Sequence, residues 1–181
     1  IKINAGKTQL IVFSRRRKVP NIRVTLFNQV VQKFNQVILL GMTLDERLTL
    51  KPHFDKVRLK ANKRISLLCR LRGTNWGASS TCLIKLYKAY IRPVLEYGGI
   101  IMAAANKTKH AEMQRIQNRA LRICLKMPIF IPIWILHDTV NIEPIAQRLD
   151  HLGQNTIKRI ENSYLFDELK VHRAMYRVNN K

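Results

Sequence analysis

Gly6-Lys7-Thr8, inside the stretch INAGKTQLIVF, has the ending of a phosphate-binding loop. In such a loop, consecutive backbone N–H groups curl around the phosphates, the lysine reaches the outer phosphates and the hydroxyl holds a metal. The pattern needs another glycine five positions before Gly6, and that position is Ile1. The order of elements fails as well. A phosphate loop runs from strand to helix, whereas the β-rich run Leu10-Ile11-Val12-Phe13 comes after the Gly-Lys-Thr. Lys7 needs a different explanation.

Other familiar chemistries find no constellation. The histidines, His53, His110, His137, His151 and His172, form no metal-ligand spacing among themselves or with cysteine, so no zinc site is expected. No serine, histidine and acid arrangement can be assembled for hydrolysis. Cys69, Cys82 and Cys124 make no C-x-x-C pair, and each falls in an apolar helical pattern. They are expected to be buried free thiols in a reducing, intracellular compartment. Asn106-Lys107-Thr108 matches a glycosylation sequon, a pattern too short to count without a secretory context.

Charge is the most informative property. Lys and Arg number 33 against 11 Asp and Glu, a net charge of +22, which calls for a polyanionic partner and makes nucleic acid the first candidate. The excess is uneven: 16 basic to 3 acidic residues up to Arg70, but 7 to 6 after Pro128. The anion-binding surface is therefore expected in the first two thirds. No apolar run reaches the roughly 18 residues that span a bilayer, so no membrane partner is expected. The apolar fraction of 46% over 181 residues is enough for a real core.

These residues must be positioned by a small β part and a set of helices, an α+β chain. Strand-like runs at Gln9 to Ser14, Ile22 to Phe27 and Val37 to Leu40, joined by the polar links RRRKVPN and NQVVQKFNQ, predict an antiparallel meander. After DERLTLKP the period changes. Phe54, Val57, Ala61, Ile65 and Leu68 recur at helical spacing, and the other face carries Lys56, Lys60, Lys63 and Arg64. Gly73 and Gly77 end this helix, and Ser79-Ser80-Thr81 can cap the next. That second helix runs through CLIKLYKAYIRPVLEYGGIIMAAA and buries Leu83, Leu86, Tyr87, Tyr90, Ile91 and Val94, with a kink at Pro93. A third, Thr108 to Lys126, turns Met113, Ile116, Ala120, Leu121 and Cys124 inward, with Arg115, Arg119 and Arg122 along its flank. Glu143 to Ile160 predicts a further helix behind a proline-rich connection. Tyr87, Tyr90 and Tyr97 are expected in helix packing.

Four stretches, INAGKTQLIVF, LLGMTLDERLTLKPHFDKV, LYKAYIRPVLEYG and RIQNRALRICL, occur in an order that resembles the reverse transcriptases of non-LTR retrotransposons, particularly jockey-like elements. The resemblance covers the chain to about Leu149. It implies that the first stretch is motif D of the palm, the Leu-Gly-x-x-x-Asp stretch is motif E or primer grip, and the following helices are the thumb. Residues 1–50 are then a palm remnant, 51–128 a basic helical thumb, and 129–181 a C-terminal helical extension or linker. The implied partners are an RNA template with its DNA primer, and the upstream palm and fingers of the same polymerase. The implied location is the nucleus or a cytoplasmic ribonucleoprotein.

The resemblance makes Lys7 a candidate general acid for the pyrophosphate leaving group in an intact enzyme, against a solvated lysine in a turn before a strand. Leu40 and Gly41 become primer-grip residues, against an ordinary turn. Asp45 is expected to brace that turn. Arg15, Arg16, Arg17 and Lys18, with Lys56, Lys60, Lys63 and Arg64, become duplex-phosphate contacts, against a solvated charged face. Polymerisation needs two magnesium ions held by aspartates, and the family carries these in motifs upstream of motif D. This chain has no Asp-Asp pair; its adjacent acidic pairs are Asp45-Glu46 and Asp167-Glu168. It is expected to be an inactive fragment that needs no cofactor of its own.

Two stretches depart from the family. Ile38-Leu39-Leu40-Gly41 stands where relatives have a polar-aromatic KYLG, and IFIP replaces a polar link. A degenerate copy fits these changes. A rival reading is a stand-alone basic helical module that binds nucleic acid without catalysis; a third is a partner-docking scaffold using PIFIPIWIL.

Overall fold

The computed structural model describes residues 4–14, 16, 17, 22–73, 76–103 and 105–163. It is a mixed α+β chain of small antiparallel sheets and a helical bundle, divided into two units, Ile1–Asn62 and Lys63–Lys181.

The first unit holds two hairpins. Strand β1 (Thr25–Leu26) pairs with β2 (Gln29–Val30) in the register Thr25 to Val30, and β3 (Gln36–Leu39) pairs with β4 (Met42–Asp45) in the register Gln36 to Asp45. Each is closed by two residues with positive φ, Phe27-Asn28 (50° and 61°) and Leu40-Gly41 (47° and 78°). Such primed turns match the right-handed twist of the flanking strands. The expected strand at Gln9 to Ser14 does not form as such. Leu10 makes a single parallel bridge to Lys33, and the Ser14 amide donates to the Glu46 carbonyl at 2.9 Å. The single expected meander is thus two separate hairpins with an extended segment laid along them.

Helix α1 (Lys51–Arg72) follows. All five residues of its expected apolar stripe are buried: Phe54 and Leu68 at 2% exposure, Val57 at 5%, Ala61 and Ile65 at 0%. Its first turn buries His53, whose Nδ1 accepts from the Thr43 amide at 3.4 Å. Burial, and after it the charge of Lys56, push the His53 pKa below its ordinary value. Gly73 ends the helix at φ 53°, where a Cβ would lie 1.4 Å from the Trp76 carbonyl oxygen. Only glycine can take that turn.

The second unit is helical. Helix α2 (Ser80–Leu86) starts from Ser79, whose hydroxyl accepts from the Cys82 amide, so the expected cap forms. The helix then widens into a π turn at Tyr87–Ile91 before α3 (Arg92–Glu96). Pro93 gives the cause: it lacks an N–H and its ring crowds the carbonyl four residues back, so the backbone opens ahead of it. Gly98 (φ 73°) then breaks the chain ahead of α4 (Gly99–Ala103), splitting what the sequence predicts as one helix.

Helix α5 (Lys107–Leu125), capped by Asn106, buries Met113, Ile116, Ala120, Leu121 and Cys124 as expected. Helix α6 (Ile133–Val140) lies inside the expected proline-rich connection, and α7 (Ile145–Glu161) follows it. Helices α4 and α7 pack closely: a Cβ on Gly99 would meet Leu152 at 3.1 Å and one on Gly153 would meet Ala103 at 3.2 Å. No helix among the described residues is long and apolar enough to cross a membrane.

Two packing expectations are corrected. Cys124 is buried, its thiol donating to the Leu83 carbonyl at 3.4 Å, but Cys69 and Cys82 are exposed. Each sits one residue beside a buried leucine, Leu68 or Leu83, which turns it off the apolar face. Of the three tyrosines expected in helix packing, Tyr87 is fully buried, while Tyr90 and Tyr97 are 42% and 51% exposed.

Candidate nucleic-acid interface

Lys7 ends a short 3-10 turn, Ala5–Lys7, and is exposed. The turn is built by Asn4. Its side-chain oxygen accepts from the Gly6 amide at 2.9 Å, and its carbonyl accepts from the Lys7 amide at 3.2 Å and the Thr8 hydroxyl at 2.9 Å. The amides and the hydroxyl that a phosphate loop would aim at its ligand are therefore spent within the turn. The absence of a phosphate cradle has a geometric basis besides the missing glycine.

Leu40 and Gly41 form the tip of the β3–β4 hairpin. Leu40 is 86% exposed, and Ile38 and Leu39 behind it are 65% and 59% exposed. A non-glycine residue in the left-handed region costs roughly 1 kcal/mol, which Leu40 bears while Gly41 avoids it.

The hairpin is braced from below by Asp45. Its carboxylate accepts from the Thr49 amide (3.1 Å), the Thr49 hydroxyl (2.9 Å) and the Leu50 amide (2.8 Å). Burial, the largest single influence, pushes the Asp45 pKa up; these hydrogen bonds, with one from its own backbone amide, together outweigh it and hold the pKa below its ordinary value. The carboxylate ties the end of β4 to the residues that lead into α1, so the expectation that Asp45 braces the turn is met.

The basic residues differ in how they are held. Lys56 donates from Nζ to the Thr43 hydroxyl at 2.9 Å, which brings it onto β4. Lys60 and Lys63 are exposed. Arg64 is engaged by Tyr90: its guanidinium donates to the Tyr90 carbonyl and its Cζ lies 4.1 Å from the ring centroid. Arg16 and Arg17 are exposed, with the Arg16 amide donating to the Ser14 hydroxyl. Arg15 and Lys18 lie outside the described residues. Asp55 is the one carboxylate within α1 and pairs with Arg58 at 3.1 Å, so the helix stays strongly basic.

The polar residues of RIQNRALRICL have a role that periodicity did not reveal. Helix α7 starts at Ile145 behind Pro144, which offers no side-chain cap. The Ile145 amide instead donates across to α5, to Gln117 Oε1 at 2.7 Å and Gln114 Oε1 at 3.0 Å, while Gln117 Nε2 donates to the Glu143 carbonyl. His137 Nδ1 donates to the Ile142 carbonyl at 2.7 Å. A cap supplied from another helix leaves a local signal only in the missing Ser, Thr, Asp or Asn ahead of α7.

Among the described residues no group of three or more His, Cys, Asp and Glu converges to hold a metal ion. Both carboxylate oxygens of Asp45 already accept hydrogen bonds, from Thr49 and Leu50. The described residues therefore hold no ligand set that fits the two magnesium ions implied for an intact polymerase.

The sequence is similar along its length to three proteins of Drosophila melanogaster. It is 24% identical over 184 residues to the probable RNA-directed DNA polymerase from transposon BS, covering 100% of this chain and 20% of that protein. It is 22% identical over 161 residues to the RNA-directed DNA polymerase from mobile element jockey, covering 88% and 17%. It is 24% identical over 183 residues to the probable RNA-directed DNA polymerase from transposon X-element, covering 100% and 20%. The chain spans about a fifth of the length of the curated relatives it matches. No protein-family model matches it, and no solved structure does. The chain is thus remotely homologous to one stretch of the jockey-type mobile-element reverse transcriptases.

Proposed function

We propose that this chain is the motif D, motif E and thumb portion of a non-LTR retrotransposon reverse transcriptase, and that it holds the template–primer duplex. The observation that carries the reading is the similarity to mobile-element polymerases over essentially the whole chain. The net charge of +22 supports it. In this reading the β3–β4 tip at Leu40 and Gly41 grips the primer, and Lys60 and Lys63, at helical spacing along α1, meet duplex phosphates, while Lys56 is held by Thr43. Arg16 and Arg17 add a second basic cluster. Lys7 is the general acid of the intact polymerase, protonating the pyrophosphate leaving group. The catalytic aspartates and their magnesium ions belong to the upstream palm, so this chain binds without polymerising.

The test is fluorescence anisotropy with a labelled RNA–DNA hybrid, titrated across about 50 to 200 mM salt. The chain should bind with an affinity that falls steeply with salt. Replacing Lys60 and Lys63 by alanine should lower the salt slope by about 1.8, from ~0.9 per neutralised phosphate. Binding that is flat across the salt range would overturn the reading. Sequencing the transcript upstream of Ile1 tests the polymerase assignment separately, since an aromatic-x-Asp-Asp segment must precede motif D.

A further inference from the structure

The flank of α5 that carries Arg115, Arg119 and Arg122 borders an open groove of about 600 Å3 in the second unit. Arg72, from the last turn of α1, lines it too, and a smaller recess that shares Cys69 and Arg72 with it adds Lys126. Five cations thus surround one concavity, and among the described residues no carboxylate lines either part. Like charges gathered without a counter-ion repel one another. The arrangement lowers its energy when an anion binds. Arg122 is already oriented, with its Nη2 donating to the Ile131 carbonyl at 3.2 Å; its buried Nε has no acceptor among the described residues.

The groove is not purely basic. Ile123, Met127, Ile129 and Ile133 line it too. Next to those lining residues in the chain stand Phe130 and Trp134, 79% and 70% exposed, and Ile129 itself is 84% exposed. Two prolines, Pro128 and Pro132, stiffen the segment that presents them. Large aromatic faces left in water on the same segment that lines this arginine-bearing groove suit one ligand class especially well. Unpaired nucleotides offer a phosphate at regular spacing and a flat base between phosphates, and proteins bind them by pairing a cationic track with stacking side chains. A duplex hides its base faces and cannot use the aromatics.

We infer that this groove is a single-strand-binding site, with Arg72, Arg115, Arg119 and Lys126 meeting phosphates and Phe130 and Trp134 stacking on unpaired bases. The site goes beyond the duplex-holding role of α1, and it lies on residues that role does not use. Because stacking tolerates any base, the site is tolerant of sequence and accepts both RNA and DNA single strands.

The chain carries two tryptophans, Trp76 and Trp134. In a Trp76→Phe chain, Trp134 is the sole indole emitter, and a stacked base quenches it. Oligo(dT) and oligo(U) strands of about 15 nucleotides, a length suited to one cationic track, should quench this emission, whereas a blunt RNA–DNA hybrid should not. By anisotropy, replacing Arg115 and Arg119, both exposed, with alanine should weaken single-strand binding and lower the salt slope by about 1.4, from ~0.7 per phosphate on single strands. Replacing Phe130 and Trp134 with alanine should weaken it about tenfold with the slope unchanged. Hybrid affinity should respond instead to Lys60→Ala and Lys63→Ala.

Unquenched Trp134 with saturating oligo(dT) overturns the groove proposal, and so does single-strand binding unaffected by the arginine pair. Binding to anionic phospholipid vesicles through Phe130 and Trp134, without competition from oligo(dT), overturns it in favour of a membrane surface. If single strands bind here while the hybrid does not bind at all, the groove stands and the duplex-holding reading falls.

Discussion

Replacing Asp45 with alanine removes one acceptor group from three donors at once: the Thr49 amide, the Thr49 hydroxyl and the Leu50 amide. The three do not weigh equally. Thr49 is exposed, so water can take over its two bonds, but Leu50 is only 6% exposed and its amide would be left without an acceptor. A hydrogen bond to a charged group contributes about 1.5–3 kcal/mol, and the Leu50 amide dominates, so the variant should lose about 2–3 kcal/mol in the first unit. Asp45→Asn keeps one carbonyl oxygen and should lose roughly half as much.

Because the chain divides into two units, a single unfolding curve can mix two transitions. The sharper assay is amide hydrogen exchange at Leu50 and Phe54, whose amide donates to the Leu50 carbonyl at 3.0 Å. Both should exchange at least tenfold faster in the alanine variant, since each ~1.4 kcal/mol is a factor of ten. The pH dependence fixes the cause. The folded pKa of Asp45 lies below the unfolded value of 3.8, so its contribution is fully present above that value and is lost as pH falls through the folded pKa. The difference between wild type and Asp45→Ala should therefore stay constant from about pH 5 to 8 and shrink below about pH 4. Equal exchange rates at neutral pH would refute the bracing role, and a difference that persists undiminished in strong acid would refute its ionic character.

Two further outcomes follow from the second unit. Gln117→Leu should destabilise it by about 1–2 kcal/mol, less than a full cap loss because Gln114 still accepts from the Ile145 amide; urea unfolding followed by circular dichroism reads this, and an unchanged midpoint would remove the trans-cap. Ellman's reagent should titrate two thiols in the native chain, Cys69 and Cys82, and the third only on denaturation. Burial pushes the Cys124 thiol up to about 12, leaving almost no thiolate to react, and three native equivalents would contradict its placement.

The helices were legible where a single apolar stripe dictated them. The face of α1 and that of α5 are buried residue for residue as their spacing predicts, because each helix has one neighbour-facing side and long enough runs to show it. Failures occurred where two rules competed. Gly98 cuts off α4 from a run whose apolar pattern continues through it. Pro132 disguises the start of α6, though proline suits the position just ahead of a helix. The β1–β2 turn uses Phe27-Asn28 rather than a glycine pair, so no turn chemistry marked it, and β2 vanished into what the sequence presents as a polar link. Within the candidate interface the free and the engaged cations were indistinguishable in sequence: only the fold commits Arg64 to Tyr90 and Lys56 to Thr43.

The four stretches that carry the resemblance are, in the folded chain, largely self-occupied. Asn4 spends the amides of the first on its own turn, and Asp45 spends its carboxylate on the second. In the third, Glu96 accepts from Arg92 within α3 and from Arg148 of α7 at 3.0 Å. Gln117 of the fourth caps α7. Such side chains are scaffold: they hold turns, helix starts and helix pairs, and replacing them costs stability before it touches a ligand. The residues able to meet an anion lie elsewhere on these elements, on the exposed side of α1 and the arginine flank of α5. Scaffold and contact surface are thus carried by different positions of the same helices. A chain whose β3–β4 tip is apolar at Ile38-Leu39-Leu40 can therefore still fold around Asp45 and Gln117 while it leaves Lys60, Lys63, Arg115 and Arg119 exposed. Substitutions at those exposed positions test binding without disturbing the scaffold, whereas substitutions at Asn4, Asp45, Glu96 or Gln117 confound the two.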